Sequence, residues 1–224
     1  MVKNITIAID GPAGSGKSTA AKKIAEKLGF TYVDTGAMYR AITLMALRNG
    51  IVDNTEEVIK LARGIHLNLK FENGVTRVFV NDEEVTEEIR SFEVNSKVSE
   101  ISVIPEVRTE LVKLQRKLGE RGNIVAEGRD TTTVVFPNAD IKIFLTASVD
   151  ERAKRRFREF HEKDNTITLE EVKQNIEKRD RIDSSRDVSP LQKAEGSLEI
   201  DNSNTEVDVE IEYLLKKIEE IRNK

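Results

Sequence analysis

The 224-residue chain contains no cysteine and no tryptophan, and aromatic residues make up only 5% of it. Without cysteine the chain has no disulfides, no thiolate metal sites and no cysteine nucleophile, and this composition suits a reducing cytosol. With so few aromatic rings, base stacking on an aromatic platform is not expected to be the main mode of ligand recognition.

A basic excess and long apolar runs are also missing. The chain has 36 lysines and arginines against 40 aspartates and glutamates, a net charge of -4. This balance argues against a nucleic-acid-binding surface spread over the protein and favours small anionic ligands held by a few cations. The first apolar run is too short for a signal segment, and no later run approaches membrane-spanning length. We expect a soluble cytoplasmic protein with neither nucleic acid nor a membrane as partner, and a monomer, since no heptad pattern demands a dimer.

The most informative stretch is the loop at residues 11–19, which fits the phosphate-binding pattern G-x-x-x-x-G-K-[ST] at every fixed position. Its glycines free the backbone to turn successive N–H groups toward phosphate oxygens. Lys17 adds a mobile cation, Ser18 offers a hydroxyl ligand for Mg²⁺, and the helix that follows points its positive end at the same anion. The predicted phosphate-binding residues are Gly11, Pro12, Ala13, Gly14, Ser15, Gly16, Lys17, Ser18 and Thr19.

The surrounding pattern predicts an α/β fold. An apolar run at residues 5–9 suits a buried parallel strand before the loop, and residues 20–28 form a helical apolar face that stops at Gly29. Further short strands are predicted at residues 30–33, 123–126, 141–145 and 197–200, with helices between them. The sequence therefore predicts a three-layer fold around a five-stranded parallel sheet.

A different pattern interrupts this alternation. Residues 65–71 and 76–80 alternate apolar and polar side chains on either side of Asn73-Gly74, a tight-turn pair. We interpret this antiparallel hairpin as part of an inserted subdomain. Helices are predicted around it, one capped by Asp53 with Glu56 and ending near Arg63, and others over about 91–102 and 105–119.

The second half contains two charged segments. Glu127-Gly128-Arg129-Asp130 follows a predicted strand, at the sheet edge where ligands bind in parallel α/β proteins. Five basic residues lie within residues 152–158, a density typical either of a solvated basic face or of a helix that closes over phosphates; the phosphate loop favours the second interpretation. A capping box at Thr168 and Glu171 predicts a helix to about Arg181, and Thr205 with Asp208 predicts the start of the last helix.

Four ordered motifs give the chain a family resemblance that covers essentially its whole length. They are the phosphate loop with Ile9-Asp10 before it, residues 34–40 (Asp-Thr-Gly-Ala-Met-Tyr-Arg), residues 127–130 with 133–137, and Arg179-Asp180 with Asp183 and Arg186. With these motifs and the hairpin, the chain resembles the bacterial cytidylate kinases of the nucleoside monophosphate kinase group.

The resemblance implies roles for particular residues. The acceptor CMP and its phosphate would contact Thr35, Arg40 and Arg129, and its cytosine would be read by Ser99, Arg108 and Asp130. Periodicity alone leaves Ser99 and Arg108 as ordinary surface residues. ATP phosphates would be covered by the loop with Arg152 and Arg156. Lys17, Arg129, Arg179, Asp183 and Arg186 would form the catalytic set, and Arg179, Asp183 and Arg186 would also contact the acceptor.

The reaction implied is transfer of the γ-phosphoryl group of Mg²⁺·ATP to CMP or dCMP. Kinases for UMP, AMP or shikimate remain alternatives for the phosphate loop alone. A nucleotide-dependent binding protein or switch is a further alternative, but no GTPase base-reading motif is found. The implied domain division is a core of about 1–35, 100–150 and 165–224, a nucleoside-monophosphate-binding insertion of about 36–99 and a lid of about 151–164.

Overall fold

In the computed structural model, which describes residues 4–72, 75–120, 122–162 and 166–222, a five-stranded parallel sheet forms the centre of the molecule. Its spatial order is β2-β6-β1-β7-β8. The strands are β1 (Thr6–Asp10), β2 (Thr31–Asp34), β6 (Ile124–Gly128), β7 (Ile141–Thr146) and β8 (Leu198–Asp201). The predicted α/β class and the five parallel strands are confirmed.

Burial on both faces explains why these strands read as continuous apolar runs. Consecutive residues, which point to opposite faces, are completely shielded from solvent: Ile7, Ala8 and Ile9 in β1, and Val125 and Ala126 in β6. Helices cover them on both sides, which is the usual setting of a parallel sheet. Because all five strands run the same way, their carboxyl ends converge at one edge, and the charged residues at the ends of β1, β2 and β6 meet there.

Eight α-helices surround this sheet and its insertion within the described part of the chain. They are α1 (Lys17–Leu28), α2 (Thr35–Arg48), α3 (Thr55–Gly64), α4 (Phe92–Ser102), α5 (Pro105–Gly119), α6 (Val149–His161), α7 (Leu169–Ser185) and α8 (Val207–Arg222). No helix among the described residues is both long and apolar enough to cross a membrane.

The insertion forms a second, antiparallel sheet of β3 (Leu67–Glu72), β4 (Val75–Val80) and β5 (Glu83–Glu84). Leu69 pairs with Val78, which confirms the predicted alternation and register. The predicted turn at Asn73-Gly74 lies outside the described residues. β5 was not predicted, because two glutamates carry no strand pattern of their own.

Three predicted helix ends are wrong. The cap of α3 is Asn54 and not Asp53, because the Asn54 side chain accepts from the Glu57 N–H at 3.2 Å. α8 begins at Val207 and not at Thr205, with the Glu206 carbonyl accepting from the Glu210 N–H. α7 continues past Arg181 to Ser185, and the predicted capping box at its start is confirmed. The polar residues 164–166, whose composition predicts a break between helices, lie mostly outside the described residues.

Candidate active site

A pocket opens at the carboxyl edge of the parallel sheet. Its walls come from the phosphate loop, the ends of β2 and β6, and helices α2 and α4 to α7. Seven cationic and four acidic side chains line it, so its formal charge is positive by three. They are Lys17, Arg40, Arg108, Arg129, Arg156, Arg179 and Arg186, with Asp34, Glu127, Asp130 and Asp183. The surplus of buried cations suits ligands with several negative charges.

Buried guanidinium N–H groups in this pocket lack acceptors. Arg40 Nε, Arg179 Nε and Arg186 Nη2 have no hydrogen-bond partner within the part of the chain that the structure describes. An unsatisfied buried donor costs about 1–3 kcal/mol, more when it is charged. Phosphate oxygens would satisfy these donors, which agrees with the positive charge of the pocket.

The phosphate loop approaches its neighbours so closely that a side chain has no room. A Cβ at Gly11 would lie 1.9 Å from the Leu145 carbonyl oxygen. Gly16 takes a left-handed conformation with φ of 90° immediately before α1. The loop can therefore present its N–H groups, together with the first turn of α1, to an anion.

Lys17 lies inside this loop. Its Nζ donates to the Pro12 carbonyl at 2.7 Å, and its side chain is buried. Burial, together with repulsion from Arg129, lowers the pKa of Lys17 to about 7. A bound phosphate would offset both effects by supplying negative charge at the ammonium group.

The Ser18 side chain contacts Glu127 near the end of β6. Its hydroxyl donates to Glu127 Oε1 at 2.6 Å, and the Tyr32 hydroxyl donates to the same oxygen at 3.0 Å. A hydroxyl beside a carboxylate offers the oxygen ligands that Mg²⁺ prefers. Within residues 4–72, 75–120, 122–162 and 166–222, no three metal-ligating side chains of the His, Cys, Asp or Glu type cluster. The pair thus fits an ion held mainly by phosphates and water, with few protein ligands.

The residues predicted for the acceptor phosphate lie around the start of α2. The Thr35 hydroxyl donates to the Glu127 carbonyl at 2.7 Å, and Arg40 pairs with Asp34 at 2.7 Å. Asp34 also caps α2 by accepting from the Ala37 N–H. One carboxylate therefore fixes both the helix start and the guanidinium of Arg40.

The base-reading candidates form a buried corner. Arg108 pairs with Asp130 and donates to the Ser102 carbonyl at 2.9 Å. Both charged side chains are at most 5% exposed. The Arg108 guanidinium carbon lies 5.3 Å from the centre of the Tyr39 ring, within cation–π range. This pair places an acceptor and several N–H donors at one end of the pocket.

Asp10 holds the backbone segment that follows Asp130. Its buried carboxylate accepts from the backbone N–H groups of Thr131 and Thr132 at 2.8 and 2.7 Å. These residues open a π-helical turn, Thr131–Val135, directly after Asp130. Burial raises the pKa of Asp10 despite these hydrogen bonds. Neither the turn nor this role of Asp10 was predicted, because the partners are more than 120 residues apart in sequence.

Asp183 contacts two residues predicted for the transfer step, Arg129 and Arg186, and one predicted to read the base, Ser99. It accepts from Arg129 Nε at 3.0 Å and from the Ser99 hydroxyl at 3.2 Å, and it lies 3.8 Å from Arg186 Nη1. Burial acts to raise the pKa of Asp183, but the nearby arginines outweigh it and lower the pKa below its ordinary value. The extension of α7 beyond its predicted end places Asp183 one helical turn after Arg179 on the same face.

Arg156 and Arg179 reach the pocket from α6 and α7. Burial, followed by repulsion from Arg129, lowers the pKa of Arg179 to about 9, and burial also lowers the pKa of Arg156. Both still carry their charge at neutral pH. Their positions suit contacts with transferring phosphates.

Arg152, a predicted phosphate ligand, does not line the pocket, and neither do Gly11, Pro12, Ser15 and Gly16 of the predicted phosphate-binding set. The Arg152 guanidinium donates to the carbonyls of Ala147 and Ala13 and pairs with Asp180 at 2.7 Å. Arg152 therefore holds the backbone of the phosphate loop at Ala13. Of the other basic residues in the segment, Arg155 donates to Asn202, which in turn donates to the Ser15 carbonyl. Thr19 is exposed and lies outside the pocket lining.

Four further residues of the site were given no role from the sequence. Glu127 and Tyr32 hold Ser18, Asn202 holds the loop, and Asn95 accepts from two pocket arginines. Only Glu127 stood within a motif, and none of the four was assigned a role. A single sequence shows which residues are charged, but it does not show which distant side chains they meet.

The fold and this loop place the protein among the P-loop kinases. A shikimate kinase from Bacteroides thetaiotaomicron aligns over 99% of this chain and all of its own, with a TM-score of 0.51 at 13% identity. At that identity the likeness concerns the fold alone.

The chain belongs to the cytidylate kinase family, whose model matches residues 7–220. It is 48% identical to the cytidylate kinase of Fusobacterium nucleatum subsp. nucleatum over 98% of this chain and 99% of that protein. It is also 50% identical to the cytidylate kinase of Caldanaerobacter subterraneus subsp. tengcongensis, over 96% and 94% of the two chains. The predicted family is confirmed.

Proposed function

We propose that the protein transfers the γ-phosphoryl group of Mg²⁺·ATP to CMP or dCMP and releases ADP with CDP or dCDP. The observation that carries this proposal is one pocket that joins a phosphate loop to the buried Arg108–Asp130 pair beneath several arginines. Membership of the cytidylate kinase family supports cytosine as the base. Acceptors such as UMP, AMP or shikimate are not favoured.

The acceptor would lie between α2, α4 and the end of β6. Thr35, Arg40 and Arg129 would hold its phosphate, and Arg179, Asp183 and Arg186 would contact its ribose and the phosphates being joined. Asp130 would accept from the exocyclic amine of cytosine, while Arg108 would donate to the ring acceptors, with Ser99 beside them. Uracil carries a carbonyl in place of that amine, so Asp130 would face a second acceptor.

The donor phosphates would lie on the phosphate loop. Backbone N–H groups of residues 11–19 and the Lys17 ammonium would surround the β- and γ-phosphates, with Arg156 reaching them from α6. Mg²⁺, held near Ser18 by phosphate oxygens and water, would neutralise part of the developing charge. Arg152 would act through the loop it supports.

Transfer requires alignment and charge neutralisation more than proton abstraction. A phosphate oxygen of CMP is already anionic at neutral pH, so no strong general base is needed. Lys17, Arg129, Arg179 and Arg186 would stabilise the charge spread over the transferring group, and Asp183 would hold Arg129 and Arg186 in place. Exclusion of water would then decide whether CMP or water receives the phosphoryl group.

The division into moving parts belongs to the same proposal. The insertion of about 36–99 would close on the acceptor, and the lid of about 151–164 would close on the donor. We also propose that the enzyme works as a cytoplasmic monomer in pyrimidine nucleotide metabolism.

Replacement of Lys17 tests this proposal. Lys17→Ala is expected to lower kcat for CDP formation by about a hundredfold or more, because it removes a cation from the transferring phosphate. Lys23→Ala, on the exposed side of the same helix, is the matched control and should keep wild-type activity. CDP and ADP are measured by chromatography from Mg²⁺·ATP and CMP. Near-normal turnover in Lys17→Ala would contradict the assignment of the loop.

A further inference from the structure

Asn95 on α4 is the common acceptor for two arginines of the pocket. Its side-chain oxygen accepts from Arg156 Nη2 at 2.6 Å and from Arg179 Nη1 at 3.3 Å. Arg156 comes from α6 and Arg179 from α7, so one amide joins three helices. None of the motifs in the sequence contains Asn95.

The orientation of this amide is fixed. Asn95 Nδ2 donates to the Ser91 carbonyl at 2.8 Å, which leaves Oδ1 as the atom that faces the guanidinium groups. The residue is wholly shielded from solvent. A buried amide held at both ends is a rigid acceptor, so it restricts the rotamers of the two arginines.

A neutral acceptor suits the charge of this region. Arg179 is repelled by Arg129, Arg156 and Arg40, and burial adds to the cost of its charge. A carboxylate in place of Asn95 would neutralise one of the cations that the phosphates need. The amide orders Arg156 and Arg179 without removing their positive charge, so both remain available to an anion.

The position of Asn95 on α4 links two parts of the pocket. Ser99, which lies beside the proposed acceptor, follows Asn95 by one helical turn on the same face. Near the start of the helix, Phe92 packs edge-to-face on Phe160 of α6 at 5.3 Å between ring centres. Arg156 stacks on the same Phe160 ring at 4.7 Å. α4 therefore contacts α6 in two ways, through the Phe92–Phe160 ring pair and through the hydrogen bond from Arg156 to Asn95.

We infer that Asn95 is a positioning residue for phosphoryl transfer, which orients Arg156 and Arg179 toward the transferring phosphate when α4 holds the acceptor. This inference rests on the proposed function. α4 would thus orient the two arginines through Asn95 and contact the acceptor through Ser99. The arginines would thus reach their working geometry together with CMP, which favours transfer to CMP over transfer to water.

Steady-state kinetics of Asn95→Ala with Mg²⁺·ATP and CMP tests the inference. We expect kcat to fall about tenfold to a hundredfold, as for the loss of hydrogen bonds to charged groups, while KM for CMP changes less than about threefold. The ratio of ATP hydrolysis to CDP formation should rise. Asn95→Gln, which retains the amide but moves its oxygen by one methylene group, should show a smaller loss and serves if Asn95→Ala fails to fold.

The controls separate positioning from folding. Ser96→Ala removes a hydroxyl that bonds only to the Phe92 carbonyl among the described hydrogen bonds, and it should keep wild-type kcat. In an Arg179→Met background, the further loss caused by Asn95→Ala should be clearly smaller than in the wild type. Losses that simply multiply, or full kcat in folded Asn95→Ala and Asn95→Gln, would overturn the inference alone. A wild-type enzyme that forms no CDP would overturn the proposed function and the inference with it.

Discussion

At the scale of single residues, the site depends on buried charges that meet across long sequence separations. Arg108 and Asp130 lie on a helix and on a loop, 22 residues apart, and both are almost fully buried. A buried ion pair is costly unless both partners are retained, because removal of one leaves the other charge without compensation. The burial of this pair is therefore weak evidence for a stabilising role, and we propose that it serves the recognition of the base.

Asp130→Asn should reduce the preference for CMP over UMP. The variant keeps the shape of the side chain, but its amide can donate to the uracil carbonyl where the carboxylate could not. We expect the ratio of kcat/KM for CMP to that for UMP to fall about tenfold to a hundredfold. Both substrates are measured with the same enzyme preparation, so any loss of folded protein cancels in the ratio.

Asp208→Asn is the matched control for that measurement. Asp208 is an exposed carboxylate that pairs with Lys23 on the far side of the phosphate loop helix. Its replacement should leave the ratio unchanged. An unchanged ratio in Asp130→Asn as well would move the reading of the base to another residue.

Residue identity predicted which motif residues lie in the pocket, but it did not predict which other side chains they contact there. Recognisable motifs contain Lys17, Ser18 and Arg129 and indicate what these residues do. The structure brings the three residues to one pocket. Asn95 and Tyr32 have no such signal, because an asparagine in a helix or a tyrosine in a strand has many ordinary roles. Their importance arises from what lies opposite them in the fold, which a single sequence does not contain.

At the scale of elements, the phosphate loop could be predicted almost completely from the sequence. Its pattern is strict because backbone geometry and not side-chain chemistry shapes it, and the flanking strand and helix carry clear apolar periods. Helix ends were harder to predict. Asp53 and Asn54 are adjacent and both can cap a helix, and only the geometry of α3 selects Asn54.

Gly11→Ala should destabilise the protein through the loop. Its Cβ would overlap the backbone at Leu145, and a backbone atom cannot move aside as a side chain can. We expect the free energy of unfolding, measured with urea, to fall by about 3 kcal/mol.

Gly64→Ala provides the opposite case in the same measurement. Apart from its chain neighbours and the backbone of α3, no atom of the described residues lies within 4 Å of a Cβ built at Gly64, and this glycine ends α3 without a positive φ. Alanine there should raise the free energy of unfolding by about 0.5 kcal/mol, because it restricts the unfolded chain. Similar changes in both variants would show that the contact at Leu145 does not constrain the loop.

At the scale of the whole molecule, the fold brings together two walls of one pocket. The parallel sheet supplies the phosphate loop and the charged ends of its strands, while the insertion and the helices after it supply the other wall of the pocket, where we propose that the acceptor binds. The alternation of strands and helices predicted the sheet, and the change of period at residue 65 predicted the insertion. How α4, α6 and α7 meet over the pocket could not be predicted, because their contacts rest on a few buried polar residues such as Asn95 and Asp183.

The most direct test of this account is the rate of ADP formation from Mg²⁺·ATP with CMP, dCMP, UMP, AMP, GMP or no acceptor, in one coupled assay. We predict strong stimulation by CMP and dCMP, weaker stimulation by UMP, and little by the purine nucleotides. The buried Arg108–Asp130 pair gives the physical reason, since it matches the polar edge of cytosine. If no nucleotide raised ADP formation above the rate with water alone, the assignment of the pocket to phosphoryl transfer onto CMP would be contradicted.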